Sequence, residues 1–164
     1  MSARHVMDAE TRAARDDHGA IRLWLRLLAT NRLVETRTRR LLQERYATTL
    51  PRFDLMAQLE RAPGGLKMGE LSKRMMVTGG NVTGITDLLE DEGLVERVPD
   101  PDDRRAILVR LTATGRRSFA AMAAEHERWI VESFGGLSRR EVATMASLLA
   151  RLKTHVRALE ERDT

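Results

Sequence analysis

The apolar positions of this chain repeat with a helical period over most of its length. Apolar residues recur at spacings of three and four from Gly19 to Tyr46, from Leu50 to Ala62 and from Glu70 to Met76. The same spacing returns from Thr78 to Gly93 and in two long stretches after Leu111. Because this spacing gathers apolar side chains on one face of a helix, it predicts a mainly α-helical fold.

The period changes to that of a β-strand in one short stretch. The alternating apolar residues there are Leu94, Val95 and Val98, then Ile107, Val109 and Leu111. Between these two predicted strands lies PDPDDRRA, whose prolines and aspartates favour a turn. We also expect residues 66–68 to pair as a third short strand. Two short helices followed by a β-hairpin predict a winged helix-turn-helix, an arrangement used by DNA-binding domains.

The residues of this segment also fit a known family. The helix, turn and second helix from Gly69 onward are followed by EGLVER and then by DPDDRRAILVRLTATG. They resemble the MarR family of bacterial transcription regulators, and the resemblance extends from about Ile21 to Leu159. It implies a mainly α fold with a small β-wing and long terminal dimerisation helices.

The boundaries of these parts follow from the pattern. Residues 1–18 are polar and lack an apolar period, so we expect a flexible N-terminal arm. Residues 19–164 are expected to form one domain. Within it, residues 49–111 form the DNA-binding lobe, and residues 19–48 and 112–162 form the dimerisation helices.

The composition narrows the function. The chain has no cysteine, which excludes disulfides, thiolate metal sites and the peroxide-sensing cysteine of some MarR relatives. Its four histidines are scattered, and neither HExxH nor GxSxG occurs, so we expect no enzyme, no metal site and no cofactor. No apolar run approaches the roughly 18 to 20 residues that span a membrane, and no signal peptide is evident. A cytoplasmic protein with no membrane partner is expected.

The second helix of the motif carries the residues expected to read DNA. The side-chain amide of Asn81 can pair with adenine at two points, and Thr78 and Thr83 can reach phosphates or thymine methyl groups. Gly79 and Gly80 each weaken a helix by about 1 kcal/mol relative to alanine, and close approach of the backbone to DNA is one reason to tolerate them. Close packing of the two short helices is the alternative explanation for these glycines.

The wing carries a second group of candidates. Asp103 and Arg105 match two positions of the family's Asp-x-Arg signature, so we expect Asp103 to orient the guanidinium of Arg105 for the minor groove. A solvated turn with local charge pairing is the alternative. Lys73 and Arg74 are expected to contact phosphates. The full predicted DNA-binding set is Lys73, Arg74, Thr78, Gly79, Gly80, Asn81, Thr83, Asp103, Arg104 and Arg105.

The charge distribution supports a competing function. The net charge of +4 and the pI near 10.3 suit a nucleic-acid partner. Residues 66–111, however, carry nine acidic and seven basic residues. This acidic bias favours a helical protein-interaction module that uses the winged fold without an operator of its own.

The terminal helices are expected to form a homodimer. The first half of the first helix is apolar on nearly all sides, so packing on a single face does not account for it. A symmetric dimer would place two recognition helices in successive major grooves, which implies a pseudo-palindromic operator in double-stranded DNA. The predicted dimer contacts are Ile21, Leu25, Trp129, Ile130, Leu148, Leu152 and Val156.

The resemblance also implies an effector. Most MarR-like proteins are repressors that a small, often aromatic, anionic ligand releases from DNA. The runs IRLWLRLLA, LPRFDLMAQLERAP and RMMVTGGNVTG are similar to a subgroup linked to aromatic-acid catabolism, some members of which respond to aromatic acyl-CoA thioesters. The predicted effector-binding residues are Trp24, Leu28, Arg37, Arg40, Arg52, Phe53, Met56, Met75 and Met76. For the apolar members of this set, ordinary core packing is the alternative.

The arginines of this set have two interpretations. Arg37 and Arg40 lie on one face of the first helix, and Arg52 lies at the start of the next helix. They could clamp the phosphates of a CoA thioester beside the pocket. A solvated face whose cations complement the C-terminal end of the helix dipole is the alternative.

Overall fold

A computed structural model of the chain describes the backbone of residues 3–103 and 105–162, with side chains from His18 onward except at position 104. The chain divides into two compact units, residues 1–123 and residues 124–164. The helices are α1 (Ala3–Tyr46), α2 (Leu50–Glu60), α3 (Met68–Met75), α4 (Gly79–Asp91), α5 (Ala113–Ser133) and α6 (Arg139–Arg162). The strands are β1 (Leu66–Lys67), β2 (Val95–Pro99) and β3 (Ile107–Leu111). The predicted mainly helical fold with a small β-wing is confirmed.

Helix α1 is longer than predicted, because it begins at Ala3 and not near Gly19. Residues 3–18 lack an apolar face but contain four alanines and three arginines, which favour a helix by backbone propensity alone. The predicted flexibility of residues 1–18 stays a prediction, because almost all of their side chains lie outside the described residues. None of the described helices is long and apolar enough to cross a membrane.

The three strands form one antiparallel sheet in the order β1-β3-β2. In its register, Leu66 lies opposite Val109 and Val95 lies opposite Leu111. These four side chains are buried, so one face of the sheet closes the core of the first unit. The third strand predicted at residues 66–68 is therefore confirmed.

The core of the first unit joins the sheet to the short helices. The side chains that are almost completely buried there include Leu42, Leu55, Met56, Leu59, Leu71, Val82 and Leu89. The ring of Phe53 packs against that of Phe119 on α5, with the ring centroids 5.3 Å apart. Aliphatic residues and methionine fill most of this interior, as the low aromatic content of the chain requires.

The apolar spacing of α4 predicts a buried face of Val82, Ile85, Leu88 and Leu89, but only Val82 and Leu89 of these are buried, and Ile85 is half-buried. Leu88 is 56% exposed, whereas Thr86 is completely buried. Residues 82, 86 and 89 share one face of the helix, and residue 88 lies outside it. The hydroxyl of Thr86 is satisfied because it donates to the carbonyl of Val82 at 2.8 Å, so the polar residue can be buried.

The predicted helix caps hold in part. Thr49 and Thr78 occupy N-cap positions, where threonine is expected to cap the helix through its hydroxyl, but neither side chain makes a capping hydrogen bond. Both threonines are exposed, and the first N–H groups of these helices can bind water instead. Two other caps are confirmed. Thr112 accepts the N–H of Gly115 at 2.9 Å, and Ser138 and Glu141 form a reciprocal capping box.

Two glycines are required at the junction between α4, the wing and α5, one by its backbone conformation and the other by a close contact. Gly93 has a φ of +69° and follows the last turn of α4, as predicted for a C′ glycine. Gly115 lies on α5 against the start of the wing. A Cβ atom built on Gly115 would lie only 1.8 Å from the carbonyl oxygen of Leu94. No side chain fits there, so only glycine allows α5 to approach Leu94.

We predict opposite stability changes for the same substitution at two helical glycines. Gly115→Ala should lower the free energy of unfolding by about 1 to 3 kcal/mol, because the new methyl group overlaps the Leu94 carbonyl. Gly84→Ala should raise it by about 0.5 to 1 kcal/mol, because its Cβ would meet open space and alanine favours the helix. Chemical denaturation of both variants at one protein concentration measures these changes. Equal stability of Gly115→Ala and the parent chain would contradict the close contact.

Candidate nucleic-acid interface

Helices α3 and α4 form the helix-turn-helix, and the turn between them begins at Met76. This residue has a φ of +55° in the left-handed region and ends α3. The hydroxyl of Ser72 donates to the carbonyl of Val77 at 2.6 Å and closes the turn. The turn directs the chain into α4, whose first residue is Gly79.

The first turns of α4 present the predicted reading residues to solvent. Thr78, Gly79, Gly80, Asn81 and Thr83 are all exposed. The hydroxyl of Thr83 donates to the carbonyl of Gly79 at 3.0 Å, which leaves its oxygen lone pairs and methyl group for contacts outside the chain. The amide of Asn81 has no recorded partner among the described residues.

The glycines of α4 are not explained by internal packing. A Cβ atom at Gly79, Gly80 or Gly84 would meet nothing within 4 Å. The alternative that these glycines allow α3 and α4 to pack closely is therefore wrong. What they provide is a smooth helix surface beside Asn81, which suits close approach of another molecule to the backbone.

The bases of α3 differ in their pairing. Arg74 donates to the carboxylate of Glu70 one turn earlier on α3. Lys73 is exposed, and no acidic side chain among the described residues pairs with it. An exposed ion pair of the Arg74 kind contributes about 0 to 1 kcal/mol, so a phosphate can replace the glutamate at little cost.

The wing turn is held by backbone contacts that sequence reasoning did not foresee. A side-chain oxygen of Asp103 accepts the backbone N–H of Arg105 at 3.1 Å, so the contact between these two residues is to the main chain, and the orienting of the guanidinium stays a prediction. Asp–x–x turns commonly make this local bond because the short carboxylate reaches its own chain. The Arg105 guanidinium is exposed and has no recorded partner among the described residues, whereas Arg104 lies outside them.

Lys67 on β1 forms ion pairs with two aspartates of this turn. The Lys67 ammonium lies 3.3 Å from the carboxylate of Asp100 and 3.7 Å from that of Asp103. The pKa of Asp100 is lowered, first because its carboxylate accepts the N–H of Asp102 and also because of the Lys67 charge. The wing therefore keeps a defined turn while Arg105 faces solvent.

Most of the acidic side chains between positions 66 and 111 form ion pairs within the chain. Arg97 on β2 binds both Asp87 and Glu90 of α4, and its backbone N–H also donates to Glu90 at 3.1 Å. Further pairs join Arg110 to Glu96 and Arg52 to Glu92. These acidic side chains therefore hold α4 and the wing together through their basic partners, although acids still outnumber bases in residues 66–111.

Five of the seven predicted dimer contacts are exposed. Ile21, Leu25, Leu148, Leu152 and Val156 are between 43% and 56% exposed. Trp129 is only 5% exposed, so little of its surface is open to a partner, and its role as a dimer contact stays a prediction. It lies on the inward stripe of α5, where the ring edge of His126 packs on it with centroids 6.4 Å apart. Ile130 is half-buried.

The predicted effector residues are not gathered in one pocket. Phe53 and Met56 belong to the core, while Trp24 is 59% and Met76 is 92% exposed. Met76 lies in the left-handed turn, which directs its side chain away from the core. Leu28 and Met75 are half-buried. For Phe53, the alternative of ordinary core packing is the correct one.

The three candidate arginines also separate. Arg37 and Arg40 line a shallow groove whose walls all come from α1, and Arg40 pairs with Glu44 at 3.2 Å. Arg52 lines a different cavity at the start of α2. A clamp made of all three arginines is therefore not present in the described residues.

Comparison with known proteins identifies the family to which this chain belongs. Residues 48–107, which include the helix-turn-helix and most of the wing, match the model of the MarR family. A MarR family regulator from Silicibacter pomeroyi is 32% identical, with a TM-score of 0.71 over 85% of this chain and 97% of that one. The chain belongs to the MarR family. It is therefore a DNA-binding transcription regulator and not an enzyme, as predicted.

Two further proteins are similar to this chain over most of its length. The transcriptional activatory protein BadR of Rhodopseudomonas palustris is 30% identical over 146 residues, which are 87% of this chain and 82% of that protein. A mutant MarR from Escherichia coli, solved in complex with operator DNA, is 27% identical with a TM-score of 0.72. That match covers 82% of this chain and 95% of the other. The individual DNA contacts of the present chain remain predictions.

Arg105→Ala should weaken operator binding by about 1 to 3 kcal/mol, because the wing loses a cation that has no partner among the described residues. Fluorescence anisotropy with labelled operator at fixed salt measures the change. Arg139→Ala, an exposed arginine of the second unit, serves as the charge-matched control and should bind as the parent chain does. An Arg105→Ala affinity equal to that of the control would exclude wing insertion.

Proposed function

We propose that this MarR-family chain is a homodimeric repressor that binds a pseudo-palindromic operator and is released by a small anionic effector. The observation that carries the proposal is the solvent-facing surface of α4, where Asn81 stands beside glycines that internal packing does not require. A flat, side-chain-poor surface with one two-point hydrogen-bonding group suits the edge of a base pair in the major groove.

The charge pattern supports DNA over a protein partner. The acids of the lobe are occupied by Arg52, Lys67, Arg97 and Arg110, and these pairs lie inside the lobe. The cations left for an external partner include Lys73 on α3 and Arg105 in the wing. Lys73 precedes α4 in the sequence, and Arg105 follows it. We expect these two cations to contact phosphates on the two sides of the groove that α4 enters.

The apolar surface supports a dimer. No described residue of α6 is buried, although Leu148, Leu152 and Val156 repeat along one face. On α1, Ile21, Leu23, Trp24 and Leu25 are also more than half exposed. Exposed apolar side chains in such numbers on one helix are typical of a protein interface. A second copy of the chain would cover the same surfaces by two-fold symmetry.

A role as activator is the second candidate, because the name of BadR describes that relative as a transcriptional activator. Both roles use the same operator contacts. The location of the operator relative to the promoter separates them, since a repressor site overlaps the polymerase site and an activator site lies upstream.

The proposed function is tested by a gel shift with the promoter region beside the gene, followed by footprinting. We expect a protected pseudo-palindrome whose half-sites are about one helical turn apart. Binding should weaken steeply with salt. Equal affinity for the promoter and for unrelated DNA of the same length would favour the interaction-module alternative.

Leu152→Asp should disrupt the dimer, because it places a charge within the exposed apolar stripe of α6. Sedimentation at micromolar concentration should show the parent chain as a dimer and the variant as a monomer or unfolded chain. Lys153→Asp, on the adjacent position of the same exposed helix, is the control and should remain dimeric. A folded monomer of the parent chain would remove the two-half-site proposal as well.

A further inference from the structure

Leu88 of the recognition helix α4 does not belong to the core. Its side chain is 56% exposed, whereas Val82 and Leu89 of the same helix are completely buried. A single exposed leucine is common on protein surfaces and by itself needs no explanation. The place of Leu88 on α4, however, puts it in line with the residues expected to read DNA.

Leu88 shares one face of α4 with Asn81 and Gly84. Residues three and seven positions apart lie on the same side of a helix, and all three positions are exposed here. A Cβ atom built on Gly84 would meet nothing within 4 Å, so no described side chain covers the surface between the other two residues. A flat molecule that contacts the amide of Asn81 can therefore also reach the apolar side chain of Leu88.

The chemistry of this face suits the edges of bases better than phosphates. Helix α4 contains no lysine and no arginine. Its acidic residue Asp87 is held toward the wing, because Nη2 of Arg97 donates to the Asp87 carboxylate at 2.5 Å. Asp91, three positions after Leu88, is exposed, and phosphates would repel its negative charge. We therefore expect the contact between this face and DNA to end at Leu88.

The partner that fits an exposed leucine in the major groove is the 5-methyl group of thymine. Thymine is the only DNA base that presents an apolar group in this groove. Asn81 and Leu88 are separated by about 10 Å along the helix axis, which corresponds to about three base-pair steps. An adenine that pairs with Asn81 and a thymine that contacts Leu88 would then lie within about three base pairs of each other.

We propose that Leu88 is a specificity-determining residue whose side chain packs against the 5-methyl group of a thymine in each half-site of the operator. This contact rests on the proposed function. It adds a residue that reads DNA by apolar contact to Asn81, which reads by hydrogen bonds. Burial of one methyl group in such a contact corresponds to about a fourfold change in affinity.

Operators that lack single thymine methyl groups test this contact. Each thymine of one half-site is replaced in turn by deoxyuridine, which keeps the hydrogen-bonding groups and lacks the methyl group. Fluorescence anisotropy at fixed salt measures the affinity for each operator. At one position we expect the parent chain to bind about fourfold more weakly. Leu88→Ala should lose the response at that position and should respond at every other position as the parent chain does.

Two further variants serve as controls. Leu33→Ala removes the same atoms from a leucine that is 72% exposed on α1, and it should respond to deoxyuridine as the parent chain does. Leu88→Met keeps an apolar side chain of similar volume and should retain the response. Circular dichroism and sedimentation of all three variants should match those of the parent chain, because neither leucine belongs to the core.

Two outcomes would overturn this inference while the proposed function stands. The first is operator binding in which Leu88→Ala and the parent chain respond equally to deoxyuridine at every position. The second is loss of the dimer in Leu88→Ala, which would assign this leucine to an interface between two copies of the chain. If the parent chain instead binds no DNA specifically, the proposed function and the thymine contact are rejected together.

Discussion

The contact between Gly115 and the carbonyl of Leu94 determines how the reading head is joined to the rest of the first unit. Leu94 ends the turn after α4 and leads into β2, and its carbonyl also accepts the N–H of Thr112 at 3.1 Å. The hydroxyl of Thr112 donates to the carbonyl of Gly93 at 2.7 Å. Recognition helix, wing and α5 thus meet at backbone groups, where hydrogen bonds and close packing leave little freedom.

Ion pairs complete this arrangement on the outer side of the lobe. Arg97 holds Asp87 and Glu90 of α4 against the wing, and its pKa is raised, chiefly by the hydrogen bond to Asp87. Arg52 holds the end of α4 on the opposite flank. The acidic residues that seemed unfavourable for DNA binding therefore stabilise the DNA-binding lobe through these ion pairs.

The elements of the fold could be predicted from the sequence because period, glycines and prolines are local signals. The stripe of Val82 and Leu89, the glycine at 93 and the strands around the wing all follow from such signals. Tertiary details could not be predicted in the same way. Thr86 is buried in place of Leu88 because its hydroxyl donates to a backbone carbonyl of the same helix. The periodicity of apolar residues does not indicate this, because threonine counts as a polar residue.

The candidate site shows the same division. Exposure of Thr78, Asn81 and Thr83 follows from their places on the helix, so they could be selected in advance. The tertiary structure decides which residues form ion pairs with Asp103, Lys67 and Arg97. These pairs depend on which strands lie next to each other, and no local sequence pattern indicates that. The effector set failed in part for this reason, since Phe53 meets Phe119 across the core.

Helix α6 extends over 24 residues, from Arg139 to Arg162, without a single buried side chain among those described. A helix of this kind gains little stability from its own chain, because most helical stability in proteins comes from packing. If a second copy supplies that packing, folding and association become one equilibrium. The melting temperature of this regulator would then rise with its own concentration, so the amount of folded protein in the cell would depend on its level of expression.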